Sequence, residues 1–410
     1  MASYLDNAPV VVDRAEGREL IDVDGNRYLD AISSLWVNTL GHRVPELDAA
    51  LAEQAGKVAH STMLGNGNAV VVELAEALAG VVPVERPHFL FASDGAAAVE
   101  QALKIAFQFF ANQRVDGRTR YLAFGGAYHG DTVGSLSLGG GGFGTEVFEP
   151  LRFPVLRAPD YTDPDCYRTA AAMVDEHGDT LAAVVLEPLV QGAAGMVVAP
   201  ASGLESLVAA CQRQGVLIIA DEVATGFGRT GTLFACEQVG LRPDLLCMGK
   251  GLTGGYLPMS ATAACPRVYD AFLGEDLGER TFYHGHSYSG NALAAALALR
   301  HLQLIDEWAV LENVRARSEQ LAKGLEAQVS GRPAVADVRV RGLMGGIELA
   351  PPADGLRWGR RVCAAAVRRG VLLRPLGDVV VVMPPLTTTA EEIERIASVL
   401  ADAIDEVTDA

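Results

Sequence analysis

Apolar positions along the chain fall into two rhythms. The opening stretch "VVVDRAEGRELIDVDGNRYLD" alternates in character and is punctuated at Glu16-Gly17 and Asp24-Gly25-Asn26, so it predicts a small antiparallel meander. A helix is expected from about Pro45. Beyond it, short apolar runs alternate with stretches of helical spacing. "HFLFAS" precedes a helix from Ala96 to Phe110; "RYLAF", "LAAVVLE" with "GLESLVAACQRQG", "VLIIAD" and "DLLCMG" follow. This alternation predicts an α/β fold, a mostly parallel sheet with helices on both faces. After a helical span from about Ser289 to Val329, "VADVRV", "GLMGGIELA", "VLLRP" and "VVVVMPP" with two helices predict a second, α+β lobe. No internal repeat, low-complexity tract or linker stands out.

The chain has 410 residues, half of them hydrophobic, enough for one large domain with a smaller companion. Its formal net charge is -18 without any basic cluster, which argues against nucleic acid and anionic membrane as partners. No basic segment leads into an apolar core at the start, and no uncharged apolar stretch approaches membrane-spanning length, so a cytosolic protein is expected. Cys166, Cys211, Cys236, Cys247, Cys265 and Cys363 lack CxxC spacing and read as buried free thiols. His284 and His286 in "HGHS" have no third ligand nearby and read as surface or hydrogen-bonding residues, so no metal is expected.

Lysine is scarce: only Lys57, Lys104, Lys250 and Lys323 occur. Three of them sit in stretches of helical spacing, where a solvated lysine is ordinary. Lys250 instead follows the strand-like "PDLLCMG" and opens a Gly-rich loop. The carboxyl ends of strands are where open α/β sheets bind ligands. "LAAVVLE" and "VLIIAD" end likewise, in Glu187 and Asp221, so three consecutive predicted strands deliver ionisable groups side by side. One such acid alone would mean a capped turn or an ion pair. Three in series point to a cofactor that takes a lysine as covalent anchor and needs a carboxylate opposite its ring nitrogen, which is pyridoxal phosphate. Ser93-Asp94-Gly95-Ala96 opens a long helix and offers amides for a phosphate, although a plain N-cap is the commoner meaning of such a stretch. Tyr128 in "GGAYHGDT" could stack on the ring, although a tyrosine in such a turn is more often simply half-buried. "GGGGFG", residues 139–144, matches a dinucleotide fingerprint in letters, but no βαβ unit surrounds it, and it reads as a flexible loop.

"IIADEVATGFGRTGTLFACEQVGLRPDLLCMGKGLTGG" closely resembles the signature of the class III pyridoxal-phosphate-dependent aminotransferases, and the resemblance runs over nearly the whole chain. "DAISSLWVNTLGHRVPE", "YHGDTVGSLS", "EPLVQGAAGM", "HGHSYSGNALA" and "LLRPLGDVVVVMPPL" resemble its biotin-pathway branch. The resemblance implies fold-type-I architecture, with a large cofactor domain over 56–305 and a small domain built from 1–55 and 306–410. It also implies a homodimer with shared active sites and amino transfer to 8-amino-7-oxononanoate from lysine or S-adenosylmethionine. A general ω-amine or ω-amino-acid:pyruvate aminotransferase is the alternative; an aminomutase or lyase is the remoter one.

By matching motifs, Lys250 is implied as Schiff-base lysine and proton shuttle, Asp221 as the partner of the ring nitrogen, Tyr128 as the stacking ring and Val223 as the packing on the other face. Gly95 and Ala96 are implied to hold the phosphate through their amides, with the Ser287 hydroxyl coming from the partner subunit. Arg374 is implied to bind the keto acid carboxylate; Trp36, Asp131, Arg229 and Gly285 to line the substrate pocket; Glu187 to lie near the cofactor. Three features depart from the family. Ala96 stands where a serine is usual, "SSLW" replaces a double tryptophan of the adenosylmethionine-using branch, and the chain starts too late for an aromatic-and-proline segment whose place Tyr4 could take.

Overall fold

The computed structural model describes residues 9–141 and 144–408. Tyr4, and Gly142 and Phe143 of the glycine-rich stretch, lie outside them. The chain forms two compact units, one from Met1–Ala49, Gly228–Gly231 and Leu304–Ala410, the other from Ala50–Phe227 and Thr232–Gln303.

The first unit begins with the expected meander: β1 (Val12–Glu16), β2 (Glu19–Asp22) and β3 (Arg27–Asp30) are paired antiparallel in that order. Its second turn is tied by Asp22, whose carboxylate accepts from the amides of Asp24 and Asn26, and Gly25 takes the positive φ the turn needs.

The second unit holds a seven-stranded sheet flanked by helices. Its strands are β4 (His88–Ala92), β5 (Arg120–Phe124), β6 (Leu156–Ala158), β7 (Leu181–Leu186), β10 (Leu217–Asp221), β11 (Leu245–Met248) and β12 (Ser260–Ala264), while β8 (Val190–Gln191) and β9 (Val197–Val198) form a separate small hairpin. The order is β4-β12-β11-β10-β7-β5-β6. β5, β6, β7, β10 and β11 run parallel; β12 is antiparallel to both its neighbours, β11 and β4. Every residue of β7, β10 and β11 is buried, which is why these strands are continuous apolar runs without alternation. β12 is equally buried but reads "SATAA", too small and too mildly apolar to register as a strand in the sequence. The helix expected over Ala96–Phe110 runs Gly95–Asn112, and the apolar "SLSL" lies in a short helix, Val133–Leu138.

The remainder of the first unit carries β13 (Val335–Arg341), β14 (Met344–Leu349), β15 (Val371–Leu372), β16 (Arg374–Leu376) and β17 (Val379–Val382). Four of them form an antiparallel sheet in the order β13-β14-β17-β16, whereas β15 joins β3 in parallel. "VLLRP" is therefore shared between two sheets, with Leu373 at the crossing. The long helical span is broken at Trp308-Ala309, where Ala309 takes a φ of 48°, into Ala292–Glu307 and Val310–Leu325. None of the described helices is long and apolar enough to cross a membrane.

Candidate active site

β11, β10 and β7 are neighbours in the sheet, so their carboxyl ends bring Lys250, Asp221 and Glu187 to one edge. The start of the helix Gly95–Asn112 is packed against the same edge. A Cβ on Gly95 would lie 2.5 Å from Val223 Cγ1, and a Cβ on Gly249 would lie 3.5 Å from Gly95 Cα, Gly95 N and Val223 Cγ1. Thus the residue before Lys250, the residue two beyond Asp221 and the first residue of the helix are packed so closely that a methyl added to either glycine would touch its neighbours. Only glycine fits at 95. Lys250 adopts a φ of 40°; a non-glycine residue held in this region costs of order 1–3 kcal/mol and needs surroundings that enforce it.

Asp221 is buried, and its carboxylate is fully engaged. Oδ2 lies 2.7 Å from Nδ1 of His129, which donates to it, and Oδ1 accepts from the Val223 amide at 3.0 Å. The His129 side chain is fully buried, and its Nε2 has no partner among the described residues. Sequence reasoning passed over His129, because a histidine inside a Gly-rich turn carries no spacing signal; only the fold puts it against Asp221. Glu187 is buried beside them, accepting from the amides of Tyr128 at 3.2 Å and Gly192 at 3.1 Å. Burial pushes its carboxyl up to about 7; the nearby His129 opposes this shift and Asp221 adds to it.

Tyr128 is half-buried and donates its phenol to Asp131 Oδ2 at 2.9 Å. Burial, reinforced by that carboxylate, pushes the phenol up to about 12, so it stays protonated. Gly130 has a φ of 125°, and a Cβ there would lie 2.5 Å from Ala96 Cβ. The turn carrying Tyr128 and His129 is thereby seated on the helix start. Asp94 caps this helix by accepting from the Ala97 amide, which leaves the amides of Gly95 and Ala96 at a positive helix end, where an anion is favoured. Gly285 and Ser287 lie in an exposed segment, in which the Ser287 carbonyl and His60 Nε2 are 2.8 Å apart. His286 Nδ1 accepts from the Tyr288 amide, and Lys104 Nζ lies 3.1 Å from His284 Nδ1.

The first unit holds the other three expected residues. Arg374 opens β16 opposite Val381 of β17, is exposed, and forms no ion pair with a described residue. Trp36 is buried in a loop with unusual backbone, where Ser33, Ser34 and Trp36 all have φ between 53° and 65°. Arg229 is entirely buried and donates to the carbonyls of Pro384 and Asn38. Burial pulls its guanidinium down to about 9, and Asp30 partly compensates. Arg229 thus ties main-chain segments together.

The residues at the sheet edge fit pyridoxal phosphate. A glycine backed by Val223 opens a helix end whose amides suit a phosphate, a buried carboxylate is braced by a histidine, and a lysine and a tyrosine lie on neighbouring segments. Among the described residues no group of three or more His, Cys, Asp or Glu side chains could hold a metal ion.

Residues 1–404 match the family Aminotransferase class-III, and the chain belongs to it; it is a pyridoxal-phosphate-dependent aminotransferase of fold type I. Within that family it is 47% identical to the adenosylmethionine-8-amino-7-oxononanoate aminotransferase of Nitratidesulfovibrio vulgaris, the match covering 100% of this chain and 79% of the relative. It is 40% identical to the enzyme of the same name from Geobacter sulfurreducens, over 100% of this chain and 94% of the relative. The crystal structure of adenosylmethionine-8-amino-7-oxononanoate aminotransferase from Methanocaldococcus jannaschii superposes with a TM-score of 0.95 at 38% identity, covering 99% and 95% of the two chains. A PLP-bound amine transaminase from an uncultivated Pseudomonas species gives 0.92 at 34% identity, covering 98% and 96%.

Proposed function

We propose that the protein transfers an amino group to the 7-keto carbon of 8-amino-7-oxononanoate, giving 7,8-diaminononanoate for biotin synthesis, with S-adenosylmethionine or lysine as donor. The observation that carries this reading is full-length identity of up to 47% to relatives of that name, joined to a sheet edge equipped for the cofactor.

Bound pyridoxal phosphate supplies an electron sink for the charge left when a proton departs the amine-bearing carbon. The protein's own residues do the rest. Lys250 would hold the cofactor through its side-chain amine, and that amine, when free, would take up the proton that leaves the amine-bearing carbon of the substrate. Asp221, braced by His129 and by the Val223 amide, presents a fixed negative charge that keeps the ring nitrogen protonated. Tyr128 would cover one face of the ring and Val223 the other. The amides of Gly95 and Ala96 would hold the phosphate, with the Ser287 hydroxyl contributed by a second copy of the chain. Glu187 lies near the cofactor. Arg374, exposed and without an ion pair, offers two parallel donors to a carboxylate. Trp36, Asp131, Arg229 and Gly285 line or support the substrate pocket, and the cofactor domain takes 56–305.

We also propose that the working unit is a homodimer in the cytoplasm. Exposed apolar residues on the second unit support a dimer: Leu64, Phe107, Leu277, Tyr283 and Tyr288 are all exposed, and Phe107 lies on the helix Gly95–Asn112.

The test is a visible spectrum of the cofactor-loaded protein with each donor in turn, and with Lys250→Ala as control. A cofactor band that shifts with one donor and returns on adding 8-amino-7-oxononanoate supports both half-reactions and names the donor. A band that responds only to simple ω-amines would replace this assignment with a general amine aminotransferase.

A further inference from the structure

The loop carrying Trp36 is held in a conformation it would not adopt alone. Ser33, Ser34 and Trp36 have φ of 53°, 61° and 65°, and Arg43, at the far end of the same segment, 52°. Residues other than glycine stay in this region only where neighbours impose it. Within the stretch itself the backbone bonds of one irregular turn, Trp36 N to Ile32 O and Val37 N to Ser33 O, close the chain locally.

The constraint comes from Asp30, at the end of β3, whose side chain is fully buried. Both of its oxygens accept from the Ser34 amide, at 3.1 and 2.9 Å, and Oδ1 also accepts from the Ile32 amide at 3.3 Å. The same carboxylate lies 2.9 Å from Nε2 of His42. Asn38 fixes how that histidine is protonated. Its Oδ1 accepts from the Gly41 amide at 2.7 Å, so its Nδ2 is the atom facing His42 Nδ1 at 3.1 Å. An NH2 group can only donate, so Nδ1 accepts and the ring proton sits on Nε2, pointing at Asp30. The Asn38 carbonyl is in turn held by Arg229, and the Ser33 hydroxyl donates to the Met383 carbonyl at 2.7 Å.

We propose that Asp30 and His42 are positioning residues that hold the Trp36 loop in its left-handed form, and that this clamp sets the enzyme's affinity for the amino acceptor. The second half rests on the reading of Trp36 as a wall of the substrate pocket. Neither residue touches the reacting atoms. Asp30 acts through the Ser34 amide, and His42 acts by turning the carboxylate toward it.

The experiment uses the full-length, cofactor-loaded protein. Trp36, Trp308 and Trp358 are the only tryptophans, so a Trp308→Phe, Trp358→Phe background makes Trp36 emission a direct report on the loop. Asp30→Asn puts a donor where an acceptor is needed. It is expected to red-shift Trp36 emission, increase its quenching by acrylamide, and raise KM for 8-amino-7-oxononanoate roughly fivefold while kcat and cofactor retention change less than about twofold. His42→Asn, too short to reach Asp30, carries the same expectation should Asp30→Asn not fold, and His42→Gln, which restores a donor, is expected to recover most of the effect. In a Trp36→Ala protein, Asp30→Asn is expected to add little to KM, because both changes remove the same wall. Unchanged emission and quenching in a folded Asp30→Asn or His42→Asn protein would overturn the clamp. KM effects that multiply with those of Trp36→Ala would overturn its link to the acceptor. If Trp36→Ala leaves KM alone while Asp30→Asn shifts the emission, the pocket reading and the acceptor half fall together and the clamp stands.

Discussion

At the scale of single residues, the cofactor edge is governed by what has no side chain. Gly95 is the sharpest case: a methyl there would meet Val223, whose branched side chain has little freedom to retreat. Gly95→Ala is expected to lose about 1–3 kcal/mol of stability and to weaken cofactor binding, read by urea unfolding and by titrating the cofactor-free protein with pyridoxal phosphate. Ala96→Ser restores the hydroxyl usual in the family, and one hydrogen bond of roughly 0.5–1.5 kcal/mol predicts up to about tenfold tighter binding in the same titration. An unchanged or weaker affinity would mean that the close approach of Gly130 leaves the hydroxyl no room to turn toward the phosphate. Lys250, Asp221 and Glu187 were legible in the sequence because each ends an apolar run. His129 was not, since its meaning lies in a contact across 92 positions of chain.

At the scale of elements, the three parallel strands carry their chemistry at one end because the flanking helices bury both faces and leave only the edge open. Burial at that edge sets a pH dependence. The Glu187 carboxyl is pushed from 4.5 up to about 7 in the folded chain, so the folded state holds a proton that the unfolded chain has already released. The stability this adds is complete below about pH 4.5 and is lost as pH rises through about 7, amounting to roughly 3 kcal/mol. Urea midpoints of the cofactor-free protein at pH 5 and pH 8 should therefore differ less in Glu187→Gln than in the parent. A parallel pH profile in the two proteins would mean that Glu187 is ionised throughout. The helix Val133–Leu138 depends on a neighbouring element in a similar way. Its Thr132 cap accepts from none of the helix amides; instead Glu100 accepts from the amides of Gly134 and Ser135. Glu100→Ala is expected to cost about 1 kcal/mol of stability by urea unfolding.

For the whole molecule, the exposed apolar residues beside Ser287 lead to a prediction about assembly. Light scattering should give a dimer, and Leu277→Asp, at an exposed position, should shift it toward monomer and lower activity in proportion, because the proposed role of Ser287 requires a second copy of the chain. A fully active monomer would place Ser287 outside the site. The sequence by itself determined the class of the fold, the strand ends and the residues waiting there, because apolar runs, glycines and a scarce lysine are local facts that short-range physics writes directly into the chain. The tertiary structure alone decided that β12 runs backwards between two strands that point the other way, that "VLLRP" divides between two sheets, that Arg229 is spent on main-chain carbonyls, and that Asp30 and His42 grip the Trp36 loop. Each of these depends on particular hydrogen-bond partners, some far apart in sequence and some near, that no periodicity of apolar positions can name.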